Sequence, residues 1–340
     1  MMSLMLDEAR SAPEIIRSQL RRNAPMMADL GEQLRQSPPV SAVTVARGSS
    51  DHAASYFAYL CMKQRGLPVA SLPPSLTTLA KTPWRASGHL ALAVSQSGQS
   101  PDLVATQQAL ATGGARTLAL LNTLGTPLGA ASGTEILLHA GEEKSVAATK
   151  SYLATLSAMA QLLGHWNEDR SLLTALEGLP ERLEKALEQD WGPAVEALQA
   201  ADRLMVIGRG AGLAVAQEAA LKFKETCAIQ AEAFSGAEVR HGPMALIGPD
   251  YPVLIFAPPG PEQAGLLTLA EWLESVGAKV LLAADASVAK RQLTLVDAGH
   301  DDLQPLSVIQ SFYVMVAALA AARGSDPDRP RHLNKVTCTL

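Results

Sequence analysis

The stretch Val94-Ser-Gln-Ser-Gly-Gln-Ser-Pro-Asp-Leu103 crowds donor groups around one short turn. Ser95, Ser97 and Ser100 offer hydroxyls, Gln96 offers an amide, and Gly98 lets a ligand approach the backbone closely. Ser100 is a natural N-cap and Pro101 suits the first helical position. Free N–H groups, a helix dipole and hydroxyl donors together suit a phosphate monoester. Arg47-Gly-Ser-Ser-Asp51 can extend the same cradle through Ser49 and Ser50. A second cluster is Glu218, Lys222 and Glu225, which share one helical face at i, i+4 and i+7. Taken alone, it reads as a solvated face with Glu–Lys pairs worth a few tenths of a kcal/mol. Ser235-Gly-Ala-Glu238 has the capping-box pattern and predicts a short helical turn, which His241-Gly-Pro243 closes. A lone histidine beside Gly-Pro reads as a surface residue as readily as a functional one, and spacing alone does not bring His241 to the serine turn.

These groups need elements to hold them, and the chain supplies them twice. Val43–Gly48 lines up with Met205–Gly210 at an offset of about 162 residues. His89–Gly98 lines up with Tyr251–Gly260, and Gly114–Leu121 with Gly277–Ala284, at the same offset to within one residue. Each segment is a short apolar run bounded by turn residues, as expected of a strand buried on both faces. The intervening stretches 51–65, 101–112, 212–228 and 262–276 have helical length and apolar spacing. Strand, turn and helix in repetition predict βαβ units and two doubly wound parallel sheets. Residues 4–36 and 145–190 predict further amphipathic helix. The second-repeat counterpart of the serine turn, Ala257-Pro-Pro-Gly260, has no donor beyond a glycine amide, so one phosphate site is expected.

Composition excludes several classes. The 340 residues are 48% apolar, 18% charged and only 4% aromatic, so the cores are built mainly of Ala, Leu and Val. A net charge of −5 disfavours nucleic acid as a partner without excluding a local anion site. Continuous apolar runs such as Val314–Ala322 fall short of the ~20 residues that span a bilayer, so no membrane partner is expected. The N-terminus has no apolar signal region. Cys61, Cys227 and Cys338 are odd in number and lack metal-ligand spacing, which reads as reduced thiols in a cytoplasmic protein without a bound metal. There is no P-loop, and Gly208-Arg-Gly-Ala-Gly212 lacks dinucleotide-binding spacing, so no cofactor is expected.

Taken together, the motifs resemble a known family. SQSGQS at 95–100, the helix of Glu225, AEVRHGP at 237–243 and DRPRHLNKV at 328–336 are similar, in that order, to the isomerase half of glucosamine-6-phosphate synthase. That half is a tandem pair of sugar-isomerase (SIS) domains, flavodoxin-like α/β folds, and the resemblance covers nearly the whole chain. It implies a helical segment at 1–36, SIS domains at 37–165 and 195–323, a helical linker at 166–194, and a tail at 324–340 closing over the site. Where the family has SQSGET, Ser100 replaces the threonine; its cysteine-glycine-threonine-serine turn is Arg47-Gly-Ser-Ser50, and its VASTK is Val146-Ala-Ala-Thr-Lys150. These changes keep most hydroxyl donors and alter the pocket wall. The synthase's glutaminase domain, with its cysteine directly after Met, has no counterpart where Met1 is followed by Met2-Ser3. The expectation is therefore a stand-alone relative working in the catabolic direction.

By the same resemblance, Ser49, Ser50, Ser95, Gln96, Ser97 and Ser100 hold the phosphate of a small phosphorylated amino sugar, with Val146 and Asn334 lining its site. Glu225 is the base that moves a proton between C2 and C1, and His241 opens the sugar ring. Lys335 closes over the C2 group, and Lys222 stands beside the site. The implied reaction is deamination of glucosamine 6-phosphate to fructose 6-phosphate and ammonia. A fructosamine-6-phosphate deglycase, an aldose–ketose isomerase and a non-catalytic phosphosugar sensor stay open as alternatives. The working unit implied is a homodimer in which His241 reaches the neighbouring subunit's site.

Overall fold

The computed structural model describes residues 3–335; Cys338, and Val336 of the tail motif, lie outside the described residues. The chain divides into two compact units. Among the described residues, one comprises Glu14–Glu143, Lys150–Glu177 and 334–335; the other comprises 3–13, Lys144–Thr149 and Gly178–Leu333.

The first unit is built on five parallel strands: β1 Ser41–Val45, β2 Val69–Ser71, β3 His89–Ser95, β4 Arg116–Leu121 and β5 Thr134–Leu137. Their order is β2-β1-β3-β4-β5, a doubly wound arrangement whose direction of winding reverses between β1 and β3. Its helices are the long α1 Leu4–Gln36, whose first ten residues group with the other unit, then α2 Ser49–Arg65, α3 Ser75–Thr78, α4 Pro101–Thr112, α5 Pro127–Ala130, α6 Lys150–Asn167 and α7 Arg170–Glu177. The second unit contains α8 Leu179–Leu187, α9 Gly192–Leu198, β6 Arg203–Gly208, α10 Gly212–Cys227, β7 Gln230–Ser235, β8 Pro252–Ala257, α11 Gln263–Ser275, β9 Lys279–Ala284, β10 Leu293–Thr294 and α12 Gln304–Ala322. Its strands are again all parallel, in the order β10-β9-β8-β6-β7, the same topology as the first sheet. The tandem doubly wound fold expected from the repeat is present.

The reason is visible in the central strands. Leu90–Val94 of β3 and Thr117–Leu121 of β4 are buried throughout, on both faces, which only a covered parallel sheet allows. On one face of that sheet Val45, Ala91, Ala93, Ala119 and Leu121 pack with Leu103 and Leu110 of α4. In the second unit Met205, Ile207, Val253, Ile255 and Leu282 meet Leu266, Leu269 and Leu273 of α11. Four of the five phenylalanines are in this unit: Phe312 of α12 meets Phe223 of α10 edge-on at 5.1 Å and Phe256 of β8 at 6.2 Å.

Three expectations are corrected. Residues 145–190 are not one helical stretch: 144–149 is irregular and the rest forms α6, α7 and α8. Ser235 does not cap a helix; it ends β7, and the following 3₁₀ turn at Glu238–His241 has Ala237 at its N-cap with no side-chain bond. The polar Asp301–Leu303 turn and α12 together make a helix, Asp301–Ala322, long and apolar enough to cross a membrane, although the continuous apolar run within it is short. Burial accounts for that composition: 78% of its most apolar window lies inside the protein, as in a core helix.

The pieces of the second unit are tied by two carboxylates. Asp328 accepts from the backbone N–H groups of Leu4 and Met5, both at 2.8 Å, which caps the start of α1. The Asp328 carbonyl also accepts from Val146 N–H at 3.2 Å. Glu8, on the first turns of α1, accepts from the N–H groups of Lys144 and Ser145.

Candidate functional site

In the first unit, Ser95 ends β3 and Ser100 stands at the N-cap of α4, with Pro101 at the first helical position as expected. The turn between them holds itself together. Gly98 N–H donates to Ser95 Oγ at 3.1 Å, and Gln99 N–H donates to Ser97 Oγ at 3.3 Å. Both hydroxyls act as acceptors inside the turn, so their O–H hydrogens stay available for a ligand. Ser100 makes no side-chain cap bond to the helix, contrary to the capping role its position predicts. Gly98 has φ +62°, and a Cβ there would lie 2.3 Å from Thr126 Oγ1, so conformation and space both demand glycine.

Ser49 and Ser50 begin α2, directly after β1. Strands β1 and β3 are hydrogen-bonded neighbours, Val45 beside Ala93, at the point where the winding reverses. Arg47 joins the two turns: its Nε and Nη2 donate to Asp102 Oδ2 at 3.2 and 3.0 Å. Asp102 is buried in the first turn of α4, while the Arg47 side chain is 53% exposed. Two helix N-termini and their serines are thus pinned at the carboxyl edge of the sheet, where open parallel sheets bind ligands. Gln96, Ser97, Ser100, Ser49 and Ser50 are all part-exposed there, and Ser95 is buried.

Lys335, also in this unit, is anchored by Glu143 Oε2 at 2.7 Å. Glu143 is fully buried and accepts from Ser151 N–H at 3.1 Å and Ser151 Oγ at 2.6 Å, so it also caps the start of α6. Asn334 beside Lys335 is exposed, and among the described residues it makes no hydrogen bond.

In the second unit, Glu218, Lys222 and Glu225 lie on α10 and are not a solvated face. Glu218 and Lys222 are completely buried. Lys222 Nζ lies 3.3 Å from Glu218 Oε1 and donates to Glu225 Oε2. The Tyr313 hydroxyl of α12 donates to Glu218 Oε1 at 3.3 Å. Burial works against charge on Lys222, yet the two carboxylates outweigh it and hold its ammonium above the ordinary lysine value. Glu225 is the member that reaches outward: its side chain is 18% exposed and lines a cleft of about 580 Å³ with Lys224, Asp326, Arg329 and Arg331.

His241 is exposed in its 3₁₀ turn, and among the described residues it makes no hydrogen bond or ion pair. Of the apolar residues flanking that turn, Phe234 and Met244 pack on the unit's own core, and Leu246 is 60% exposed. Val146 belongs to this unit, held through its N–H to Asp328. The serines, Asn334 and Lys335 are therefore placed with one sheet, and Lys222, Glu225, His241 and Val146 with the other.

Sequence reasoning missed Glu143, Asp102, Glu218's burial and Tyr313. An acid beside Pro101 and an acid before Lys144 carry no periodic signal; only their partners, brought from distant positions, distinguish them. Among the described residues, no group of three His, Cys, Asp or Glu side chains is placed to hold a metal ion.

The model of the SIS domain family matches residues 34–164 and 197–322. The glutamine–fructose-6-phosphate aminotransferase (isomerizing) of Thermotoga maritima is 30% identical over 310 residues, covering 86% of this chain and 50% of that protein. The chain thus spans about half the length of the curated relatives it matches. A crystal structure from Silicibacter pomeroyi DSS-3, provisionally described as a phosphosugar isomerase, is 42% identical with a TM-score of 0.90, covering 96% of this chain and 100% of that one. The glucosamine-6-phosphate deaminase of T. maritima shares the fold at a TM-score of 0.77 and 21% identity, covering 99% of this chain and 100% of that one.

Proposed function

The chain belongs to the SIS domain family, and we propose that it is an isomerizing amino-sugar-6-phosphate deaminase, converting glucosamine 6-phosphate and water to fructose 6-phosphate and ammonia. The observation that carries this reading is Glu225: of its cluster it alone reaches the cleft, with a buried ammonium fixed against it. A carboxylate held in one orientation and partly shielded from water is equipped to carry a proton between adjacent carbons. The relatives' names supply the chemical class, an amino transfer coupled to isomerisation of a hexose phosphate.

The serines at the two helix N-termini take the phosphate. His241 moves a proton to or from the ring oxygen and the ring opens; an imidazole suits that task near neutral pH. Glu225 removes the C2 proton, and its return at C1 leaves an imine at C2. Lys335, anchored by Glu143, is the cation for charge developing at that group. Water adds to the imine carbon, the C–N bond breaks, and ammonia leaves with the proton balance kept. We propose further that the unit of function is a homodimer, with His241 donated across it.

The test is ammonia release across glucosamine, galactosamine and fructosamine 6-phosphates, with ketose 6-phosphate measured in parallel. Glucosamine 6-phosphate should give one ammonia per fructose 6-phosphate. Ketose–aldose interconversion without ammonia would overturn deamination in favour of isomerisation, and binding without turnover would overturn catalysis.

A further inference from the structure

The buried part of the α10 cluster is larger than proton transfer at Glu225 requires. Two carboxylates and one ammonium stand together, and Glu218 has no exposure through which it could meet a substrate. Lys222 is fully buried as well. If Glu225 were its sole partner, every proton Glu225 accepted would leave a buried, uncompensated ammonium, a state costly in a medium of low polarity. Glu218 removes that difficulty, because Lys222 remains in a neutral pair with it whichever state Glu225 occupies. The Tyr313 hydroxyl, arriving from a different helix, binds the same Glu218 oxygen, Oε1, that faces Lys222. We propose that Glu218, oriented by Tyr313, is a positioning residue that keeps Lys222 charged and paired while Glu225 takes up and returns its proton. This rests on the reading of Glu225 as the base.

The other charged groups nearby do not substitute for Glu218. Helix α10 packs against α12, β6 and β7. The titratable side chain of α12 is Tyr313 itself. Arg203 of β6 and Glu232 of β7 sit at exposed positions, with Arg203 over the Tyr251 ring. Asp326, Arg329, Arg331 and Lys224 line the cleft with Glu225. Glu218 and Glu225 each act on Lys222 to hold its charge.

Removing the Glu218 charge changes Glu225 in one direction. A neighbouring negative charge disappears and Lys222 turns wholly to Glu225, and both effects lower the pH at which Glu225 binds a proton. The experiment titrates Glu225 directly in protein labelled with carbon-13 at glutamate Cδ, the resonance being assigned by its loss in Glu225→Gln. Glu218→Gln should lower the midpoint by about one unit or more, the scale of an opposite charge at contact distance. The acid limb of ammonia release should move with it and the plateau rate should fall. Glu218→Asp keeps the charge and should restore most of the midpoint. Tyr313→Phe keeps the packing and should shift it the same way by less, with KM unchanged. A Glu225 midpoint unmoved in Glu218→Gln, or in Tyr313→Phe if the former fails to fold, overturns the proposal. If the wild-type protein turns over no phosphosugar, the proposed function fails, while the titration still decides whether Glu218 balances the charge.

Discussion

Replacing Gly98 with alanine probes the serine turn with the least change in chemistry. The residue sits at φ +62°, where a Cβ costs about 1–2 kcal/mol. The new methyl would also lie 2.3 Å from Thr126 Oγ1, 2.7 Å from Thr126 Cβ and 3.0 Å from Leu121 Cδ2. Thr126 cannot simply rotate away, since its Oγ1 accepts from Gly129 N–H at 3.2 Å and caps α5. Overpacking of that kind costs about 1–3 kcal/mol. Alanine recovers a fraction, about 0.4–1 kcal/mol, by restricting the unfolded chain. The net expectation for Gly98→Ala is a loss of about 1–4.5 kcal/mol, centred on about 3, in urea unfolding followed by circular dichroism. Binding of inorganic phosphate, measured by calorimetry, should weaken about tenfold or more as the turn is displaced, since that is only 1.4 kcal/mol. Adding Thr126→Ala, which deletes the nearest clashing atom along with the α5 cap, should recover part of the clash cost and none of the backbone cost. A Gly98→Ala protein within about 1 kcal/mol of wild type, with phosphate binding intact, would refute the reasoning.

Glu225→Gln keeps shape and hydrogen bonding but removes the base, and turnover should fall roughly 10²- to 10⁴-fold in the ammonia assay; near-normal turnover removes Glu225 from the chemistry. Ser97→Ala should raise KM more than it lowers kcat, because a handle remote from C1 and C2 contributes mostly uniform binding; a pure kcat effect contradicts its role. After subunit exchange between His241→Ala and Glu225→Gln proteins, a shared site should return activity to as much as about a quarter of wild type, since half the dimers are mixed and each regains one of two sites. Full activity in a monomer, or no recovery despite proven exchange, sinks that arrangement. Burial pushes the Cys227 thiol up to about 11 and the Cys61 thiol higher still, so neither should react with a disulfide reagent at pH 8 in folded protein carrying Cys338→Ser; labelling at the rate of the denatured chain would contradict the burial.

The central strands were legible because burial on both faces leaves an unbroken apolar run, and two copies of the same run confirm each other. β3, β4, β8 and β9 lie within the segments that the repeat marked, and β1 and β6 overlap theirs, each starting two residues earlier. The remaining strands were not marked. β2 and β10 span three and two residues, and β5 and β7 mix Thr, Glu and Gln among their apolar positions. Their strand character comes from the neighbour they pair with. The serine turn was legible for the opposite reason: hydroxyls crowded between a strand and a helix have no packing role to explain them. Glu218 and Lys222 show what pattern alone misses. Their spacing is that of an ordinary surface pair, and only the apolar face of α12, carrying one tyrosine, turns the pair into an interior one. The Ser235 capping box failed because its residue was already committed to the ladder of β7, paired with Gly208.

The cap that Asp328 places on α1 has a consequence for synthesis. The amide of Leu4 and the carboxylate that receives it are separated by 324 positions in the chain. At ~5–20 residues per second, a ribosome delivers that carboxylate roughly 15–65 s after the amide has emerged. The β1–β5 sheet is complete in sequence by Leu137, long before then. The nascent polypeptide therefore holds all five strands of its earlier sheet while the opening turns of α1 still lack the carboxylate that caps them.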